Sequence, residues 1–296
     1  MTTPVSPAAT PKVPVIDAVC NLFTPEVVAS RPVWTRSFLA NKIGAPEREI
    51  SGLTVQQHVD LLDEAGIDHA FLLASKLGRV GLPTSWRMDP RHVIDAVQAR
   101  PDRFSALLGV DPHEGIRGTR ELETMVREYG FIGAHLYPHW FELAPDDRRY
   151  YPFYAKCVEL DVPMQMQVGH CLRYSDERPL PSVGRPITLD TIACDIPEVK
   201  LVGIHIGWPW TEEMIAVAYK HPNVYIGSDA YAPKHWSKEF VHYINTFGSD
   251  KVLFGTDWPV VGHSRAMAEI AELGLRPESL EKFLGGNAAR LYGLSL

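Results

Sequence analysis

Eight short β-rich apolar runs alternate with amphipathic helical patterns along this chain. That alternation restricts the fold more than any other feature. The runs are VPVIDAV (13–19), HAFLLA (69–74), FSALLGV (104–110), FIGAHLY (131–137), PMQMQV (163–168), VKLVGIHI (199–206), NVYIGS (223–228) and KVLFGTD (251–257). Helix signals lie between them. Thr54 to Gln57 forms a capping-box pattern before a stripe of Val55, Val59 and Leu62. Asp89 with Pro90 opens the next helix, and Leu122, Met125, Val126 and Tyr129 share one face of another. Thr211 is placed to cap TEEMIAVAYKH, and SKEFVHYINTF, SRAMAEIAEL and ESLEKFL complete the set. A strand followed by a helix, eight times over, predicts an α/β chain folded as a single (β/α)8 barrel. An open doubly wound sheet is disfavoured, because no G-x-G-x-x-G or P-loop follows any strand. The 296 residues suit one such barrel.

Residues 1–12, MTTPVSPAATPK, read as a disordered tail without the basic and apolar regions of a signal peptide. Residues 13–296 form the barrel. Two segments exceed ordinary connections: 22–53 after the first strand and 171–187 after the fifth. Both are expected at the C-terminal rim, as loops or a lid. A net charge of −7 with no Lys/Arg run argues against nucleic acid as a partner. No apolar segment reaches the roughly 18 residues of a membrane span. The four cysteines show no C-x-x-C pairing, which predicts reduced thiols and a cytoplasmic protein.

Alternation along each strand places one set of side chains inside the barrel. The expected inner sets are Asp17, Val19 and Asn21 on strand 1; Gly133 and His135 on strand 4; Gln165 and Gln167 on strand 5. On strands 6 and 8 they are Gly203 with His205 and Gly255 with Asp257. Burying unpaired polar groups costs about 1–3 kcal/mol each. Polar residues gathered at one rim therefore point to a binding site.

Four stretches, GIHIGWPWTEE, NVYIGSDAY, KVLFGTDWP and GNAARLYGL, resemble the amidohydrolase-2 family of the amidohydrolase superfamily, over about residues 13–294. This is the branch of aminocarboxymuconate-semialdehyde decarboxylase and related decarboxylases, hydratases and lactonases. The resemblance implies a divalent metal, commonly zinc or manganese. Its ligands would be an H-x-H ending strand 1, a His ending each of strands 5 and 6, and an Asp ending strand 8. His205 and Asp257 match two of those positions. Val19 and Asn21 stand in place of the H-x-H, and Gln167 in place of the strand-5 histidine. Valine cannot ligate, and amides are poor zinc ligands.

Two arrangements remain open. His170, His205 and Asp257, with His135 and His139 nearby, could hold one divalent metal (Zn, Mn or Fe) at a shifted site. Alternatively Asp257 and His205 act as an acid/base pair without metal. Asn21, Gln167, His135, Trp208 and Arg173 are the expected substrate-binding residues. Arg173, with Arg178 and Arg185 of the same loop, offers bidentate bonds to a carboxylate. Trp140, Trp208, Trp210 and Trp258 offer an aromatic wall, and Cys171 a thiol beside His170. The first functional expectation is an enzyme hydrolysing, hydrating or decarboxylating a small carboxylate compound. The alternative is a metal-poor subunit of a two-component hydrolase or oxygenase. It would assemble with an amidohydrolase paralogue through segment 22–53, using Trp34 and Phe38. A homo-oligomer, or a binding protein without chemistry, completes the set.

Overall fold

The computed structural model describes residues 13–82, 85–176 and 178–295. The tail expected over 1–12 lies outside the described residues. Eight parallel strands form one sheet in chain order: β1 (Ile16–Cys20), β2 (His69–Ala74), β3 (Phe104–Gly109), β4 (Gly133–Leu136), β5 (Met164–Gln167), β6 (Leu201–Ile204), β7 (Val224–Gly227) and β8 (Val252–Leu253). The first and last strands meet, so the sheet rolls into a barrel. Ala18 N donates to Phe254 O at 2.9 Å, and Cys20 bridges Trp258 in parallel sense. Each helix-bearing connection returns over the outside, the (β/α)8 pattern read from the sequence.

β2 is buried at all six positions, which explains its unbroken apolar run between inner and outer cores. The inner core contains Ile16, Val19, Phe71, Leu73, Leu107, Val202, Ile204 and Leu253. The C-terminal helix Asn287–Tyr292 adds Ala288, Leu291 and Tyr292 to it. The outer core binds sheet to helices. In helix Val55–Ala65 the Thr54–Gln57 capping box is present in both directions. Asp89 caps Pro90–Ala99 through Arg91 N, at 2.9 Å. Thr211 departs from expectation: it is the first residue of helix Thr211–Lys220, preceded by Trp210, and does not cap it.

The strands end earlier than the sequence suggested. β6 stops at Ile204 and β8 at Leu253, so His205 and Asp257 stand on turns beyond the sheet. Both have positive φ, +66° and +53°, as do Ile206 and Ala230. Left-handed backbone at non-glycine residues is costly, and at His205, Ile206, Ala230 and Asp257 it clusters where the polar strand ends meet.

The inner sets need two corrections. On β6 the inner residues are Val202 and Ile204. A Cβ on Gly203 would meet Met214 and Leu189, on the helix side. His205 enters the mouth only because the left-handed turn re-aims it. On β1 the pairing with β2 slips between Asp17 and Cys20. Asp17 is turned toward Thr256 and His263, while Val19 and Asn21 keep the inner face.

Candidate active site

A cavity of about 660 Å³, including its open mouth, occupies the C-terminal end of the barrel. Its polar floor carries Asn21, His135, Gln167, His205 and Asp257, with the aliphatic Val19 among them. The walls are aromatic: Phe23, Trp34, Phe38, Trp86, Tyr137, Trp140 and Tyr174 line it.

Hydrogen bonds order the floor from the strands upward. Asn21 Nδ2 donates to Asp257 Oδ1 at 2.9 Å and to Trp258 O at 2.9 Å. Gln167 Nε2 donates to His205 Nδ1 at 3.2 Å and to Tyr174 Oη at 3.3 Å. With Nδ1 accepting, the neutral His205 ring carries its proton on Nε2. That atom lies 3.3 Å from Asp229 Oδ2 and 3.7 Å from Asp257 Oδ2. Asp229 is fully buried beyond β7, and its Oδ1 accepts from the His205 backbone N at 3.0 Å. Among the described residues Asp229 Oδ2 has no hydrogen bond. Burial, and the nearby Asp257 carboxylate, push the Asp229 carboxyl well above the usual range. Burial likewise raises Asp257 to about 7, against the Asn21 hydrogen bond that lowers it. His205 is held neutral mainly by burial.

Arg31 is the residue that sequence reasoning missed on the opposite wall. Its guanidinium sits 4.1 Å over the Phe23 ring and 4.5 Å over the Trp86 ring. Nη2 donates to Leu22 O at 3.4 Å, and the buried Nε has no partner. Among the described residues it enters no ion pair, although burial depresses its pKa to about 10. Segment 22–53 delivers it, together with Phe23, Trp34 and Phe38, so this segment roofs the cavity. Trp34 and Phe38, considered above for docking a paralogue, are engaged within the chain. Trp34 stacks on Trp140 at 4.9 Å, and Phe38 packs on Tyr174 at 4.8 Å.

The other expected residues divide. Asn21, His135, Gln167, His205 and Asp257 come together around the cavity. Arg173 does not: it is 62% exposed and paired with Asp176 on an outer groove. Arg178 pairs with Glu142, and Arg185 with Glu213 while lying over Trp210. Trp208 is 43% exposed and stands outside the cavity, against Tyr231 and His170. His170 is exposed and does not join the donor group of His205 and Asp257. His139 is buried, its Nδ1 accepting from Val183 N at 3.1 Å. Cys171 is buried with its thiol pushed up to about 12, which makes it a poor nucleophile. Cys20 faces His263 outside the barrel, at 3.9 Å.

At the positions where the sequence resemblance implied ligands, Val19 offers no donor atom. The amide nitrogens of Asn21 and Gln167 are hydrogen-bonded as donors, while Gln167 Oε1 is buried without a partner among the described residues. What fits is a different set: one imidazole N and two carboxylate O atoms from His205, Asp229 and Asp257, all within 4.8 Å of one another. The unpartnered Asp229 Oδ2 belongs to it. Two hard oxygens with one imidazole suit a single divalent cation such as manganese, iron or zinc.

A parallel β/α barrel with imidazole and carboxylates at its C-terminal mouth defines a class, the barrels of the amidohydrolase type. The chain belongs to the amidohydrolase family: the family profile (Amidohydro_2) matches residues 16–294. It is 23% identical to the gamma-resorcylate decarboxylase of Polaromonas sp., over 84% of this chain and 91% of that protein. It is 31% identical to the 2-keto-4-carboxy-3-hexenedioate hydratase of Sphingobium sp. over 156 residues. That match spans 46% of this chain and 46% of the hydratase, about half of either. Among solved structures, an uncharacterised TIM-barrel protein from Bordetella bronchiseptica superposes with a TM-score of 0.78 at 25% identity, covering 95% of this chain and 99% of its own. A dihydroxybenzoic acid decarboxylase from Polaromonas sp., with bound manganese and 2-nitroresorcinol, gives 0.70 at 20% identity, covering 95% and 97%. Among the described residues no helix is long and apolar enough to cross a membrane.

Proposed function

We propose that this chain is an enzyme acting on a small, largely flat carboxylate compound, with decarboxylation as its first reaction and hydration or hydrolysis as neighbouring chemistries. The observation that carries this reading is Arg31. A guanidinium without an acidic partner among the described residues, lying on two aromatic faces, opens into the same cavity as His205 and Asp257. Such a group is a ready partner for a substrate carboxylate, through charge-assisted bonds in a site poor in water. The Trp34, Trp140 and Tyr174 faces suit a planar body beneath it. The family relatives named for carboxylate decarboxylation and hydration support the same chemical class.

The residues divide the work. Arg31 orients the carboxylate. Asp257, its Oδ1 held by Asn21, presents Oδ2 to the reacting atoms and moves a proton there. His205, oriented by Gln167, directs Nε2–H at the two carboxylates and limits their repulsion. The roof of segment 22–53 excludes water, which strengthens each of these interactions. When bound, a divalent cation (Zn, Mn or Fe) would be held by Asp229, Asp257 and, once its Nε2 has released the proton, His205, and would polarise a substrate oxygen.

The test is turnover on a panel of hydroxylated benzoates and unsaturated dicarboxylates, followed by mass spectrometry. Arg31→Met is expected to raise KM by ~10- to 100-fold for every carboxylate substrate. Turnover that survives both Asp257→Asn and His205→Asn refutes the assignment.

A further inference from the structure

We infer that His135 reads a hydroxyl group of the ligand, presenting a proton-free Nε2 as an acceptor at the cavity floor. The state of that nitrogen follows from a relay that starts at a backbone carbonyl. Ala18 O, on β1, can only accept. Gln165 Nε2 donates to it at 2.9 Å, and also reaches Tyr292 Oη at 3.4 Å. The amide nitrogen of Gln165 is therefore committed to β1, and its Oε1 is left facing His135 Nδ1 at 2.8 Å. Two acceptors cannot bond to each other, so Nδ1 carries the imidazole proton. The neutral ring then has a lone pair on Nε2.

Among the described residues that lone pair has no partner, although His135 is fully buried. His135 lines the cavity shared by Arg31 and Asp257. The neighbouring Tyr137 hydroxyl does not serve it, being paired with Ser75 Oγ at 3.1 Å. Burial also depresses the His135 pKa to about 4, so the ring stays neutral at physiological pH. It serves as an acceptor, not as a reservoir of protons. A buried acceptor discriminates strongly, because a ligand without a donor leaves it unpaired. Gln165 is the positioning residue that fixes the tautomer. The inference deepens the carboxylate reading above and rests on it for the ligand's overall shape, but the acceptor stands by itself.

The experiment measures binding to the full-length protein by tryptophan fluorescence, since Trp34, Trp86 and Trp140 line the cavity. Two probe series are used: the isomeric hydroxybenzoates against their methyl ethers, and phenol against anisole. The wild type is expected to favour the hydroxyl over the methoxy form by ~10- to 100-fold in its preferred isomer, and phenol over anisole in the same direction. His135→Phe should erase both preferences. Nitrogen NMR of the histidines should show Nδ1 protonated and Nε2 bare, with the Nε2 signal moving on phenol binding. Gln165→Leu should mix the tautomers and shrink the preference. Absence of a phenol-over-anisole preference in the wild type, or its survival in His135→Phe, overturns the inference. Loss of carboxylate selectivity alone, with the phenol preference intact, overturns the Arg31 reading and leaves this one standing.

Discussion

Two buried aspartates of this barrel have opposite surroundings. Asp17, on β1, is fully satisfied. Its Oδ1 accepts from Val19 N at 3.1 Å and Thr256 N at 3.0 Å; its Oδ2 accepts from Thr256 Oγ1 at 2.5 Å and lies 3.2 Å from His263 Nε2. It pins the first strand to the last and closes the ring. Asp229, beyond β7, is equally buried, yet among the described residues its Oδ2 accepts no hydrogen bond and has His205 Nε2 near it at 3.3 Å. A buried carboxylate with every lone pair used supports the fold. One left short offers a lone pair to a cation or ligand.

The contrast can be broken experimentally. The largest effects belong to the mouth: Asp257→Asn or His205→Asn is expected to lower kcat/KM by ~10²- to 10⁴-fold with little change in the unfolding midpoint. A large loss of stability in either variant would move that residue to the side of Asp17. Next, Asp17→Ala should destabilise the fold by ~3–5 kcal/mol, read from urea unfolding, because it strands the Thr256 and Val19 amides and the His263 ring. Asp229→Asn sharpens the comparison by going the other way. It replaces a carboxyl whose ionisation is opposed by burial with a neutral amide while keeping an acceptor for His205 N, so a gain of about 0.5–2 kcal/mol is expected alongside lost activity. The same substitution should abolish any rise in melting temperature that manganese gives the wild type.

The smallest effect is a pH dependence away from the mouth. His58 is 3% exposed, its Nε2 accepts from Phe23 N at 3.2 Å, and burial lowers its pKa to about 4. Its unfolded value is near 6.5. The folded state thus resists a proton that the unfolded chain takes up. This contribution to stability is complete above pH ~6.5 and is lost progressively as the pH falls toward 4. The slope should be at most about 1.4 kcal/mol per pH unit. Unfolding curves from pH 7.5 to 5 should flatten by that amount in His58→Leu, and an unchanged slope would refute the assignment.

The barrel was legible because alternation of strand and helix signals is a property of the whole chain, redundant eight times over. Five of the residues around the cavity were legible too, since the polar groups of Asn21, His135, Gln167, His205 and Asp257 stand out at the ends of apolar runs. What was not legible depended on backbone irregularity. A strict period of two put Asp17 and Gly203 inside, whereas a slipped register on β1 and a left-handed turn after β6 redirect those segments. Asp229 escaped because the seventh run was closed one residue before it; the signal, a carboxylate immediately beyond a strand end, was in NVYIGSDAY. Arg31 left no such trace. It lies in a segment whose path over the mouth is set by aromatic contacts with Trp86, Trp140 and Tyr174, distant in sequence.

Segment 22–53 carries a further consequence. It contributes the guanidinium and much of the aromatic roof as one contiguous stretch, while the floor comes from the ends of separate strands. The guanidinium and aromatic roof are thereby written in one part of the gene and the polar floor in several others. A relative's corresponding stretch, transplanted whole, should retune what enters this vessel and leave its reactive base untouched.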